Sequence, residues 1–306
     1  MKILVTGGSG FIGSNLVDKL ISLYHDVVVI DDLSTGKVEN LNKKSKFYKM
    51  DICNEDILEV FNKEKFDIVY HMAAQIDIQK SIKDPIQDAM VNIIGTINIL
   101  EACRKSKVKK IIYSSTAAAY GNPDYLGIDE NHYTQPISFY GSSKLSSEYY
   151  VSIYSKLYNL DYTILRYSNV YGIRQDKNGE GGVISIFLDK IISSENVSIF
   201  GDGSATRDYI YVEDVVDANI SSIEHGNREI FNIGTGKYTS VLKLFNFMKD
   251  IINKEIGVIF EDERLEDIKD SYFEINKSMG ILNWKPKFCL EDGLRKTIEY
   301  YNNKHI

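Results

Sequence analysis

Lys2-Ile-Leu-Val-Thr6-Gly7-Gly8-Ser9-Gly10-Phe11-Ile12-Gly13 is the stretch on which the reading of this chain turns. A short apolar strand runs into glycines at 7, 10 and 13, and a helical pattern follows over residues 14–22. A strand that turns straight into a helix needs residues without Cβ there, so that the backbone can come close to a pyrophosphate. The free N–H groups of the helix start would receive the phosphate oxygens. Glycine spacing alone is a weak signal; the strand before it and the helix after it give it meaning.

Working outward, the next strand, residues 27–30, ends in Asp31-Asp32, and Asp31 lies eighteen residues after Gly13. A carboxylate at the tip of the second strand accepts hydrogen bonds from the adenosine ribose and repels a 2′-phosphate, so NAD is expected rather than NADP. Residues 47–50 form a third strand ending at Asp51-Ile52, where a carboxylate would meet the adenine amino group. Residues 66–71 form a fourth, followed by Ala73-Ala74-Gln75, small enough to let the backbone reach the pyrophosphate and the nicotinamide ribose. Residues 85–105 read as one long helix with Pro85 in its first turn, and residues 110–115 as a buried strand. Strands alternating with helices predict an α/β fold, a doubly wound parallel Rossmann sheet. Its ligands would sit beyond the carboxyl ends of the strands.

Thr116 stands at such an end, and Tyr140 opens the next helix after Pro136-Ile-Ser138. Tyr140-Gly-Ser-Ser-Lys144 places a phenol and an ammonium four residues apart, on one face of that helix. A cation in reach lowers a phenol pKa by about 1–3 units. Three units amount to roughly 4 kcal/mol and make tyrosine a usable base at neutral pH. The bare pattern is weak in a chain of twenty-one tyrosines; the dinucleotide turn upstream strengthens it.

Composition sets bounds. The 306 residues suffice for one large domain or two unequal ones, and the charged fraction of 26% is ordinary for a globular protein. A net charge of −7 argues against nucleic acid as a partner. Cys53, Cys103 and Cys289 form neither a disulfide framework nor a zinc pattern, and the five histidines lack metal-ligand spacing, so no metal is expected. Met1 leads straight into a strand and no apolar run approaches 18 residues; a cytoplasmic protein, with neither signal peptide nor membrane span, is the expectation.

Together these motifs resemble the extended short-chain dehydrogenase/reductase family, and within it the UDP-glucose 4-epimerase type. The resemblance runs almost end to end, through His71-Met-Ala-Ala-Gln75, Val91-Asn92 with Gly95-Thr96, Ser114-Ser115-Thr116 with Tyr120-Gly121, Tyr140 with Lys144, Leu165-Arg-Tyr-Ser-Asn-Val-Tyr-Gly172, Gly179-Glu-Gly-Gly-Val183, Gly201-Asp-Gly203 and Thr206-Arg-Asp208. It implies that Tyr140 is the acid/base, that Lys144 binds the nicotinamide ribose and lowers the tyrosine pKa, and that Thr116 relays the proton of the sugar O4. It implies NAD contacts from Gly7, Gly10, Phe11, Ile12, Gly13, Asp31, Asp51, Ile52, Ala73, Ala74, Gln75 and Asn92. It further implies that Asn169, Val183, Phe200, Arg207 and Arg264 hold the UDP-sugar, Phe200 against uracil and the arginines on the diphosphate, a task suited to a planar, permanently charged donor. A homodimer is implied by the resemblance alone.

Sugar dehydratases and decarboxylases of this family carry an acidic residue just after the Ser/Thr; here Ala117-Ala118-Ala119 follows Thr116, which leaves a simple redox cycle at C4. The expected activity is therefore NAD-dependent 4-epimerisation of a UDP-hexose through a 4-keto sugar. The family's Arg-x-Gly-Asp reads Arg264-Leu-Glu266-Asp267 here, with the glycine replaced. Seven residues past Arg264 stands Ser271, where relatives with a tyrosine exclude N-acetyl sugars; a serine leaves room for UDP-GlcNAc and UDP-GalNAc beside UDP-glucose and UDP-galactose. A UDP-glucuronate 4-epimerase, a nucleotide-sugar reductase and a non-catalytic NAD-binding regulatory protein are the other readings.

The chain after Gly172 is looser. Residues 1–172 are expected to form the NAD-binding domain, rejoined by about 205–235 through strands at 209–212 and 229–233. Residues 173–204 and 236–306 would form a smaller mixed α/β C-terminal substrate domain, with a loop over 179–182 and helices over 183–193, 241–253 and 290–302.

Overall fold

The computed structural model describes residues 1–176, 182–263 and 268–304. Six strands alternate with helices through the first half: β1 (Lys2–Thr6), β2 (Asp26–Asp31), β3 (Lys46–Lys49), β4 (Ile68–His71), β5 (Lys110–Thr116) and β6 (Asp161–Tyr167). Then come β7 (Asn169–Tyr171), β8 (Val197–Phe200), β9 (Thr206–Arg207), β10 (Tyr209–Tyr211) and β11 (Glu229–Ile233). The main sheet has seven parallel strands in the order β11-β6-β5-β4-β1-β2-β3. The order reverses between β1 and β4, which opens a crevice at the carboxyl edge of those two strands.

Strand residues alternate between two cores. Ile3, Val5, Val27 and Val29 pack on one face of the sheet with the helix Phe11–Ser22. Leu4, Val28 and Ile30 pack on the other with Ile99 and Leu100. Period-two side chains buried on both faces explain why these strands read as continuous apolar runs. Each such side chain contributes about 1.5–3 kcal/mol by burial.

Two expectations change. Tyr209–Tyr211 does not join the main sheet; β11 takes the edge beside β6, and β10 pairs in parallel with β7 in a separate two-stranded sheet. The expected single helix at 85–105 is interrupted: Pro85–Ala89 and Gly95–Lys105 are α-helical, and Met90–Ile94 between them is a π turn. Such widened turns recur at functional sites, because they re-aim a side chain.

The last part of the chain adds β12 (Thr239–Ser240), β13 (Val258–Glu261) and β14 (Asp270–Ser271). They build two small sheets, β12-β9-β14 and β13-β8, flanked by the helices Val183–Ile192 and Val241–Ile252. Among the described residues no helix is long and apolar enough to cross a membrane.

Candidate active site

A cleft of about 520 Å³ follows the carboxyl edge of the main sheet across the crevice. At its floor, Gly7 has φ +68°, and a Cβ there would lie 2.7 Å from the Ala73 nitrogen. A Cβ on Gly13 would lie 2.1 Å from the Gly7 carbonyl oxygen. Bare backbone is therefore obligatory at both positions, and it leaves the start of the helix Phe11–Ser22 open toward the cleft. Asp31, at the end of β2, is buried and accepts from the backbone N–H of Ser9 (3.0 Å) and of Leu33 (2.9 Å). Each carboxylate oxygen keeps acceptor capacity for a ligand hydroxyl.

A chain of hydrogen bonds with one direction fixes the Ala73 backbone. The Thr96 hydroxyl donates to the Asn92 carbonyl at 2.6 Å, so it accepts from His71 Nε2 at 3.0 Å. The other ring nitrogen, Nδ1, then accepts from the Thr6 hydroxyl at 2.8 Å, and Thr6 accepts from the Ala73 N–H at 3.2 Å. His71 has no exposed surface, and burial, with help from Lys144, pulls its pKa down to about 3. It is a neutral imidazole with one fixed tautomer.

Ser138 caps the helix Phe139–Tyr158 by accepting from the Gly141 N–H at 3.1 Å, which places Tyr140 in the first turn and Lys144 one turn on. Both line the cleft with Thr116, at the end of β5. Lys144 is buried, its ammonium 4.3 Å from the centre of the Tyr113 ring. The electrostatics differ from the expectation of a phenol already made acidic. Burial pushes the Tyr140 phenol up to about 12, against the pull of a hydrogen bond with Thr116. Burial likewise pulls Lys144 down to about 7, while Glu148 and Asp88 favour its charge. Desolvation penalises the charged form of each group, so proximity alone does not make the pair a base.

Of the residues singled out in the sequence, Gly7, Gly10, Phe11, Ile12, Gly13, Asp31, Asp51, Ile52, Ala73, Ala74, Gln75, Thr116, Tyr140, Lys144 and Asn169 line this one cleft. Asn92 does not. It is buried in the π turn, accepts from the Gln75 N–H at 2.8 Å and donates to the Gln75 carbonyl at 2.9 Å. It holds the backbone of Gln75, a residue of the cleft wall. Val183, Phe200, Arg207 and Ser271 also stand outside the lining: Val183 opens a helix and packs on the core, and the others lie on the small sheets. Ser271 and Arg207 are direct partners in the β14–β9 register. Arg264 and Glu266, with most of the 179–182 loop, lie outside the described residues.

The structure adds lining residues that the sequence reading passed over, notably Ser34-Thr35-Gly36, Lys80 and Gln87. For Gly36 a signal existed. It is the glycine of a turn just after the acidic strand end, and a Cβ there would lie 2.1 Å from Ser9 Oγ and 2.7 Å from Asp31. Lys80 and Gln87 sit on short helices whose approach to the cleft no local pattern encodes.

Comparison with known proteins gives this geometry a family. A solved UDP-glucose 4-epimerase from Thermotoga maritima, crystallised with UDP-glucose, is 45% identical with a TM-score of 0.98, each chain covered over 100% of its length. The UDP-glucose 4-epimerase of Mycolicibacterium smegmatis is 39% identical over 99% of both chains. A solved UDP-N-acetylglucosamine 4-epimerase from Methanobrevibacter ruminantium, in complex with UDP-N-acetylmuramic acid, is 35% identical with a TM-score of 0.94, covering 99% of this chain and 98% of its own. Residues 3–234 match the NAD dependent epimerase/dehydratase family, and the chain belongs to it.

Proposed function

We propose, from membership of that family, that the chain interconverts UDP-hexoses epimeric at C4. The observation that carries this reading is the single cleft in which the glycine turn and Asp31 meet Thr116, Tyr140 and Lys144. The cleft fits the family's cofactor, since Gly7 and Gly13 admit no side chain where a pyrophosphate needs close backbone approach. Bound NAD supplies a hydride acceptor and donor for the sugar's C4 and, when oxidised, a positive charge.

The protein's own part is proton handling, orientation and exclusion of competing chemistry. Tyr140, working through the Thr116 hydroxyl, takes the O4 proton and later returns it. Thr116 is suited to the relay because its oxygen already accepts from the Ala118 N–H at 3.1 Å, which fixes the rotamer and leaves its proton to donate. Lys144 binds the ribose of the cofactor and stabilises the phenolate. Ala117–Ala119, a short 3₁₀ turn, carries no acid that could expel a C6 hydroxyl. Arg207 and Arg264 hold the diphosphate and Phe200 the uracil, while the oxidised sugar turns its other face. Ser271, beside Arg207 in the strand register, borders the C2 substituent and admits an N-acetyl group.

A homodimer belongs to the same proposal. Ile86, Met90 and Ile94 on one stretch, and Tyr149, Ile153 and Leu157 on the helix Phe139–Tyr158, leave an exposed apolar surface on two helices that pack against each other. A cytoplasmic location is consistent with three free cysteines.

The test is incubation of purified protein, without added cofactor, separately with UDP-glucose, UDP-GlcNAc and UDP-glucuronate, followed by proton NMR. Formation of UDP-galactose and UDP-GalNAc is expected. Conversion only with stoichiometric NADH would replace the reading with a reductase, and conversion of UDP-glucuronate alone would move the substrate.

A further inference from the structure

Lys144 is buried in a cluster drawn from four elements. Tyr140 and Glu148 share its helix, Asp88 comes from the helix Pro85–Ala89, neutral His71 from β4, and Tyr113 from β5. Two carboxylates oppose its buried positive charge, and they are not equivalent. Glu148 is already neutralised: Arg166 donates to it twice, at 2.9 and 2.6 Å, and the Ser115 hydroxyl donates at 2.5 Å. Asp88 is 1% exposed and, among the described residues, takes part in no ion pair. Its Oδ1 accepts from the Gln75 Nε2 at 2.8 Å and the Asn92 Nδ2 at 3.2 Å, both neutral amides. Its Oδ2 is buried with no hydrogen-bond partner. A buried carboxylate costs several kcal/mol unless something compensates it, so an uncommitted oxygen in this position calls for a reason.

We propose that Asp88 is a positioning residue of the proton-handling site, a buried counter-charge that keeps Lys144 protonated and, through its fixed Oδ1, seats Gln75 and Asn92 against the cleft. The inference rests on the proposed 4-epimerase reading for its activity arm only. Its charge acts on Lys144 and Tyr140 in the same sense, favouring the proton on each. Removing it therefore lowers both pKa values, by about one unit for a buried charge at close range.

Asp88→Asn keeps an oxygen for both amides and deletes the charge; Asp88→Glu keeps the charge. In the activity arm, both limbs of the kcat–pH profile of Asp88→Asn are expected to move to lower pH by about one unit, while Asp88→Glu restores the wild-type limbs. In the second arm, the nucleotide is first stripped from the purified protein, and the protons exchanged when NAD⁺ rebinds are measured by calorimetry in buffers of different ionisation enthalpy. Their pH midpoint should move down with the same variant. Midpoints and limbs both unmoved in a variant of unchanged Tm would overturn the proposal and leave Asp88 a purely structural clamp. If the wild-type protein epimerises no UDP-hexose, the function reading fails, and the calorimetric midpoint alone decides the role of Asp88.

Discussion

The cleft and the small sheet β12-β9-β14 outside its lining are built on different principles. The cleft is lined by strand ends and helix starts whose backbones fix one another: Gly7 against Ala73, Gly13 against Gly7, Asp31 by Ser9 and Leu33, Tyr140 by the Ser138 cap. The small sheet of two-residue strands, β9, β12 and β14, lies outside the cleft lining and is anchored by a buried carboxylate. Asp208, 1% exposed, accepts from the backbone N–H of Thr235 at 2.9 Å and of Gly236 at 3.1 Å, and from the Thr235 hydroxyl at 2.5 Å. It ties the residue after Arg207 to the loop after β11. The difference teaches that the cleft is set by rigid, repeated architecture, whereas the small sheet carrying Arg207 and Ser271 is built of minimal strands.

The largest contrast between the two regions is expected from Tyr140→Phe. It should lower kcat by about 10²–10⁴-fold, with NAD content of the purified protein unchanged, as read by absorbance of the released nucleotide. Next comes Gly13→Ala, whose methyl meets the Gly7 carbonyl. The overpacking should cost about 1–3 kcal/mol in thermal unfolding and yield protein largely free of NAD. On the small sheet, Ser271→Tyr should leave NAD content intact and depress turnover of UDP-GlcNAc about 10–100-fold more than that of UDP-glucose. Equal loss on both sugars would erase the division of labour between the cleft and the small sheet.

The smallest effect concerns pH. Burial pushes the Asp208 carboxyl up to about 6, against the pull of its hydrogen bonds. With a folded pKa above the unfolded one, the native state holds the proton longer, so this group's contribution to stability falls as pH rises from about 4 to 6. Subtracting the Tm–pH curve of Asp208→Asn from that of the wild type should isolate this slope. A flat difference curve would show that Asp208 remains ionised throughout.

The legible part of the molecule follows the same division. Gly7, Gly13, Asp31 and Thr116 could be placed because strand, turn and helix occur within a few residues of one another, and period-two burial marks the strands. The phenol and ammonium of Tyr140 and Lys144 could be paired for the same local reason. Their acidity could not be read, because it depends on how completely neighbouring elements bury them. Asp88 was illegible for a related reason: its nearness to Lys144 comes from packing one helix on another, 56 positions apart in sequence. Asn92 was placed in the right region, but its grip on the Gln75 backbone was not legible, since the π turn that carries it has no sequence signature of its own. The β10 strand was assigned to the main sheet because apolar runs do not say which edge they will pair with.

The central claim is that one cleft oxidises and re-reduces the same carbon without exchanging the hydrogen it removes with solvent. It is tested most directly with UDP-glucose carrying deuterium at C4, incubated with the protein in ordinary water and no added cofactor. The account predicts UDP-galactose that retains the label at C4. Product that has lost its deuterium to solvent, or no product until NADH is supplied, would contradict it.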